Sequence, residues 1–137
     1  VFAEYKFGTG LNADVLTTIE TEQWAVVWYP ENLDSFSTPR PLLVFLHGNH
    51  ATCGSTTDVN RESCEYTETG TCGNGLVPLP NHRGYDYVAE NLASWGYIVV
   101  SINANRGITC GDGEDDLDWG MNLARGRLVL KHIESFY

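Results

Sequence analysis

The segment with the most chemical content runs from Pro41 to His50, PLLVFLHGNH. Five apolar residues, Leu42 to Leu46, lead straight into His47, Gly48, Asn49 and His50. A short continuous apolar run closed by a breaker is the pattern of a strand buried on both faces. Ligands of α/β sheets bind beyond the carboxyl ends of such strands, which is where these four residues fall. A glycine there lets the backbone approach a substrate with no side chain between. The amides that follow can face a carbonyl oxygen that becomes negative in a transition state. An attacking group to match is missing from the 137 residues. No Gly-x-Ser-x-Gly occurs: Ser94 has Leu92 rather than glycine two residues before it, and Ser55 follows Gly54 directly within loop-type sequence. A base needs a positioned nucleophile, so His47 is not read as one.

Other residue types carry weaker signals. Cys53, Cys64, Cys72 and Cys110 sit in Gly-, Thr- and Asn-rich stretches. Their spacing is wide and irregular, unlike the close pairs of zinc sites. An even count in loops predicts two disulfides and an oxidising compartment, so a secreted or periplasmic location. Asp112 to Asp116, DGEDD, has the carboxylate density of a calcium loop but not the EF-hand spacing, and reads as a solvated acidic loop or as acids favouring a helix N-terminus. No metal or organic cofactor is expected. Arg106, before Gly107, is expected to pair with an acid. His82 reads as a loop residue and His132 as a helix-surface residue. Trp24, Trp28, Trp95 and Trp119 read as core or cleft packing.

The elements that must position these residues are legible as patterns. Residues 17–20 and 24–29 are rich in β-branched and aromatic types and predict antiparallel strands in the first thirty residues. Residues 97–102, YIVVSI, predict a second strand of the buried type. Tyr85, Val88, Leu92 and Trp95 repeat at helical spacing, with Gly96 placed to end the helix. Leu117, Met121, Ala124 and Leu128 repeat likewise, and Leu130, Ile133 and Tyr137 extend an apolar surface. Residues 49–80 show no periodicity and hold three of the four cysteines, which predicts a long stapled or functional loop. Strand, helix, strand, helix after an antiparallel start predicts an α/β fold with parallel strands, in one domain spanning 1–137.

Composition narrows the function. Eight Lys and Arg against 18 Asp and Glu give a net charge of −10, which disfavours nucleic-acid backbones. Hydrophobic residues make up 42% and aromatic ones 12%, too many for a disordered chain. No apolar run reaches the ~18 residues of a membrane span. A chain that starts at Val1 is read as having lost something upstream.

Residues 42–50 resemble the third strand and oxyanion loop of the α/β-hydrolases. Residues 85–107, YDYVAENLASWGYIVVSINANRG, are similar to that family's first helix, fourth strand and Arg-Gly turn. Residues 119–137 resemble its next helix. The resemblance covers about residues 15–137, with 49–80 as an insertion. It points most closely to secreted bacterial esterase- and lipase-like members near the dienelactone-hydrolase and polyester-hydrolase branches. The implied function is hydrolysis of carboxylic esters, small or polymeric, by a Ser/His/Asp triad. Here Asn49 is the oxyanion donor, Gly48 and His50 belong to the same loop, and His47 supports it by hydrogen bonding.

The missing elbow makes the chain read as the N-terminal half of such an enzyme, inactive alone. In the family's sheet the third strand lies between the fourth and fifth. Leu42–Leu46 is therefore expected at an open edge, which pairs with the missing half, in the same polypeptide or a separate one. Four cysteines allow three pairings. The implied neighbourhood of the two strands favours Cys53–Cys110 with Cys64–Cys72. The rivals are a hydrolase-fold module without catalysis, binding or structural, and amide or polyester cleavage on the same fold.

Overall fold

The structure is a computed structural model that describes residues 1–7, 10–12, 14–110 and 121–136. Nine strands and three α-helices follow one another among these residues: β1 Phe2–Lys6, β2 Gly10–Asn12, β3 Leu16–Thr21, β4 Trp24–Trp28, β5 Leu42–Leu46, β6 Cys53–Gly54, β7 Glu62–Ser63, α1 Glu65–Thr69, β8 Val77–Pro78, α2 Asp86–Ser94, β9 Ile98–Asn103 and α3 Asn122–Glu134. The main sheet has the order β1-β4-β9-β5. β4 runs antiparallel to β1 and β9, with Trp24 opposite Asn103. β5 and β9 are parallel, with Leu46 opposite Ile102. The fold is a mixed sheet with helices, and β5 and β9 are the parallel pair within it. Among the described residues β5 pairs only with β9 and stands last in the strand order.

Alternation along the strands builds a core on each face. Ala25 and Val27, Val100 and Ile102, and Leu42, Val44 and Leu46 point to one side. There they meet Ala124 and Leu128 of α3, with Met121 just before the helix. Val26, Trp28 and Val99, with Leu43 and Phe45, point to the other side and meet Ala89 and Ala93 of α2. The strand residues are largely β-branched, stiff side chains that fit a pleated surface. Asp86 in the first turn of α2 complements the helix dipole and pairs with Arg83 at 2.7 Å. Gly96 ends that segment with φ +91°. A Cβ there would fall 2.2 Å from the Arg40 guanidinium.

Several sequence expectations need correction. Residues 49–80 are not without structure: β7, β6 and β8 form a small sheet, with α1 between them. Elements of two to five residues are too short to leave a periodic signal. The disulfides are Cys53–Cys72 and Cys64–Cys110, not Cys53–Cys110 and Cys64–Cys72. The small sheet folds residues 53 and 72 together and leaves Cys64, at the start of α1, to meet Cys110. Trp95 is 74% exposed and packs in neither core, because α2 buries its alanine row instead. Trp28 is buried, whereas Trp24 is half-buried. Leu130 is exposed, on the outer side of α3. His82 and His132 are both buried, not loop and surface residues. Asp112–Asp116, Leu117, Trp119 and Tyr137 lie outside the described residues. No helix of the described residues is long and apolar enough to cross a membrane.

Candidate functional site

The carboxyl ends of β5 and β9 lie side by side, and the segments leaving them are tied together. His47, directly after β5, is 2% exposed. Its Nε2 accepts the Ala104 N–H at 2.9 Å, so the ring proton sits on Nδ1, which donates to the Gly48 carbonyl at 2.8 Å. Burial, opposed by that carbonyl and reinforced by the Arg125 charge, lowers the His47 pKa from 6.5 to about 4. The imidazole is neutral at pH 7 with both nitrogens engaged, which leaves no lone pair for proton abstraction. It acts as a brace between the two strand exits.

Gly48, Asn49 and His50 are exposed. The Asn49 side chain reaches the other loop, where its Oδ1 accepts the Cys110 N–H at 2.7 Å. Cys110 has φ +65°, and its disulfide to Cys64 carries the tie on to α1. Arg125 of α3 donates to the His47 carbonyl and, at 3.2 Å, to the Thr109 hydroxyl. The exit of β9, the Cys110 segment and α3 thus each bond to this turn, two of them through His47 and one through the Asn49 side chain. Among the described residues the amides of Gly48, Asn49 and His50 donate to no protein acceptor. The His50 ring lies over the glycine: a Cβ on Gly48 would fall 3.1 Å from its Nε2.

A cleft of about 420 Å³ opens beside this loop, lined by His50, Ala51, Glu62, Leu79, Pro80 and Asn81. Its far wall is the disulfide-bearing insertion. Asn81 fixes that wall, donating to the Ala51 carbonyl and to Asn105 Oδ1, both at 2.9 Å. Asn105, fully buried, donates in turn from its side-chain amide to the Leu79 carbonyl at 2.6 Å and from its backbone N–H to Asn103 Oδ1 at 2.9 Å. A larger groove of about 500 Å³ lies at the other end of the sheet, against Leu42 and Ile98, which begin β5 and β9. The amino ends of parallel strands are not where such sheets bind ligands.

Behind the loop, His82 is buried against Trp24 with ring centroids 4.7 Å apart. Its Nδ1 is 2.9 Å from Asn103 Nδ2, and its Nε2 is 3.4 Å from Glu4 Oε1. Burial lowers its pKa, and Glu4 offsets part of the effect. Glu22 is a buried carboxylate satisfied by the Tyr66 hydroxyl at 3.0 Å and by Lys6 at 3.3 Å. Arg106 pairs with Glu20 at 2.7 Å. Among the described residues no three His, Cys, Asp or Glu gather as a metal site would need.

Sequence reasoning named His47, Gly48, Asn49 and His50, and the structure places them in one braced turn. It missed Arg125, Asn105 and Asn81. Arg125 gave no signal beyond a position beside Ala124 on a helix, because nothing local shows that its guanidinium meets the backbone of residue 47. No family model, curated protein or solved structure matches this chain.

Proposed function

We propose that residues 1–137 form the oxyanion-loop half of a secreted or periplasmic α/β-hydrolase that cleaves carboxylic esters. The observation that carries it is the turn after β5. Two successive amides, Gly48 and Asn49, have no protein acceptor among the described residues at the carboxyl end of a parallel strand. They sit beside a cleft, in a turn to which three other segments bond. Preorganised donors of this kind stabilise the oxyanion of acyl transfer because they need no reorientation as charge develops. Further support comes from the sheet order β1-β4-β9-β5 with β5 at the rim. In this reading the nucleophile-bearing strand pairs with the outer edge of β5. The serine, its histidine and its acid come from outside these residues. The two disulfides fit an oxidising compartment.

The test uses the full-length gene product that carries these residues. A fluorophosphonate probe is expected to label one serine within a Gly-x-Ser-x-Gly, and p-nitrophenyl butyrate is expected to be hydrolysed. A full-length product that folds, takes no label and hydrolyses no ester overturns the enzyme in favour of a non-catalytic module.

A further inference from the structure

Resting on the hydrolase reading just proposed, we infer that Arg125 is the positioning residue that sets the direction of the oxyanion amides. A trans peptide is planar, so the N–H of one residue points opposite to the carbonyl of the residue before it. Every peptide bond described is trans. The His47 carbonyl is drawn toward α3 by the Arg125 guanidinium. The Gly48 N–H therefore points away from α3. The Gly48 carbonyl is held by His47 Nδ1, so the Asn49 N–H points away from the imidazole. Both carbonyls are occupied by protein donors, and both amides point the opposite way, where they have no protein acceptor among the described residues.

Arg125 is suited to the task. It is half-buried, and its second anchor, at 3.2 Å, is the hydroxyl of the buried Thr109. Two fixed acceptors hold a planar fork in one orientation, which a lysine cannot reproduce. Its partners among the described residues are neutral oxygens. A positive charge one peptide behind the amides also raises the potential where an oxyanion forms. His47 fixes the second peptide, but its ring is placed by the Ala104 N–H and does not act on the first. Without Arg125 the His47–Gly48 peptide is free to rotate, so that its carbonyl competes for the position of the amide.

The experiment reads peptide order and catalysis separately in the full-length protein. In Arg125→Met, 15N relaxation is expected to show the Gly48 order parameter falling from about 0.85, the rigid range, to below about 0.6, with β9 unchanged. On p-nitrophenyl butyrate, kcat is expected to fall roughly 10- to 100-fold, with KM within about twofold. That loss is smaller than the roughly 10²–10³ of deleting a donor outright. Arg125→Lys is expected to restore part of both. An unchanged Gly48 order parameter overturns the inference, as does a loss confined to KM. If Arg125→Met does not fold, Arg125→Lys decides: wild-type order and kcat in that variant overturn the inference, and intermediate values uphold it. A mobile Gly48 in a protein whose wild type hydrolyses no ester upholds the positioning role and refutes the hydrolase reading instead.

Discussion

Acid should unfold this protein through its histidines before its carboxylates. His47 and His132 are both buried, at 2% and 1% exposure, and burial lowers each pKa from 6.5 to about 4. The folded state therefore holds both rings neutral, while the unfolded chain protonates them below pH 6.5. Stability from this source is complete above that value and is lost as pH falls toward 4. At pH 5 a shift from 6.5 to 4 corresponds to a loss of about 2 kcal/mol per histidine, so about 4 kcal/mol for the pair. His82 moves in the same direction. Total stabilities run to about 5–15 kcal/mol, so a drop from pH 7 to pH 5 removes a large share. Glu4, whose pKa is lowered in the folded state, adds its loss only below the carboxylate range, so the two windows separate. The perturbation is His132→Gln, which keeps a hydrogen-bonding group near the Tyr5 hydroxyl, 2.6 Å from Nδ1. Urea denaturation followed by circular dichroism at pH 7 and pH 5 should show the pH-dependent loss shrinking by about 2 kcal/mol in the variant. An unchanged loss would mean that His132 is already protonated in the folded protein at pH 5, and the burial argument would be wrong.

Other expectations are as direct. Replacing both Cys64 and Cys110 by serine should cost about 4 kcal/mol, against about 3 kcal/mol for Cys53 and Cys72, because the loops span 46 and 19 residues and closure entropy grows with length; thermal melts of the two variants rank them, and the opposite order would contradict it. Gly107 has φ +74°, and a Cβ there would fall 2.7 Å from the Glu20 carbonyl oxygen. Gly107→Ala should therefore destabilise by more than about 1 kcal/mol, measurable by denaturant midpoint. Trp95→Ala, by contrast, should change stability by no more than about 0.5 kcal/mol, since that ring is 74% exposed.

The parts of the fold legible in the sequence are those where one local pattern decides the outcome. Leu42–Leu46 and the strand after Gly96 show up because each packs against a core on both faces and carries a run of apolar residues, unbroken in the first and broken by Ser101 in the second. The helix starting at Asp86 shows up through its period and its glycine. β1 gave no such pattern, since most of its residues are exposed and it is held by pairing with β4. The disulfide partners were hidden because they depend on how two-residue strands fold residues 51–80 back on themselves. His132 looked like a surface residue although it lies in the row Ala124, Leu128, His132, spaced four apart and buried throughout. That spacing was visible, but a histidine does not advertise burial. At the site, the turn from His47 to His50 was readable because strand, glycine and polar residues adjoin in sequence. Arg125, Asn105 and Asn81 were not, because each acts on backbone more than twenty residues away.

The central claim is that the Gly48 and Asn49 amides meet an oxyanion. The most direct measurement is a 1H–15N spectrum of the full-length protein before and after inhibition by an ethyl p-nitrophenyl alkylphosphonate, which releases p-nitrophenolate as the serine is phosphonylated and whose phosphoryl oxygen stands in for that oxyanion. Both amide protons should move downfield by an amount well beyond the shifts of neighbouring residues, as hydrogen bonds to the strongly polarised phosphoryl oxygen form. A phosphonylated protein in which those two resonances stay where they were would contradict the account.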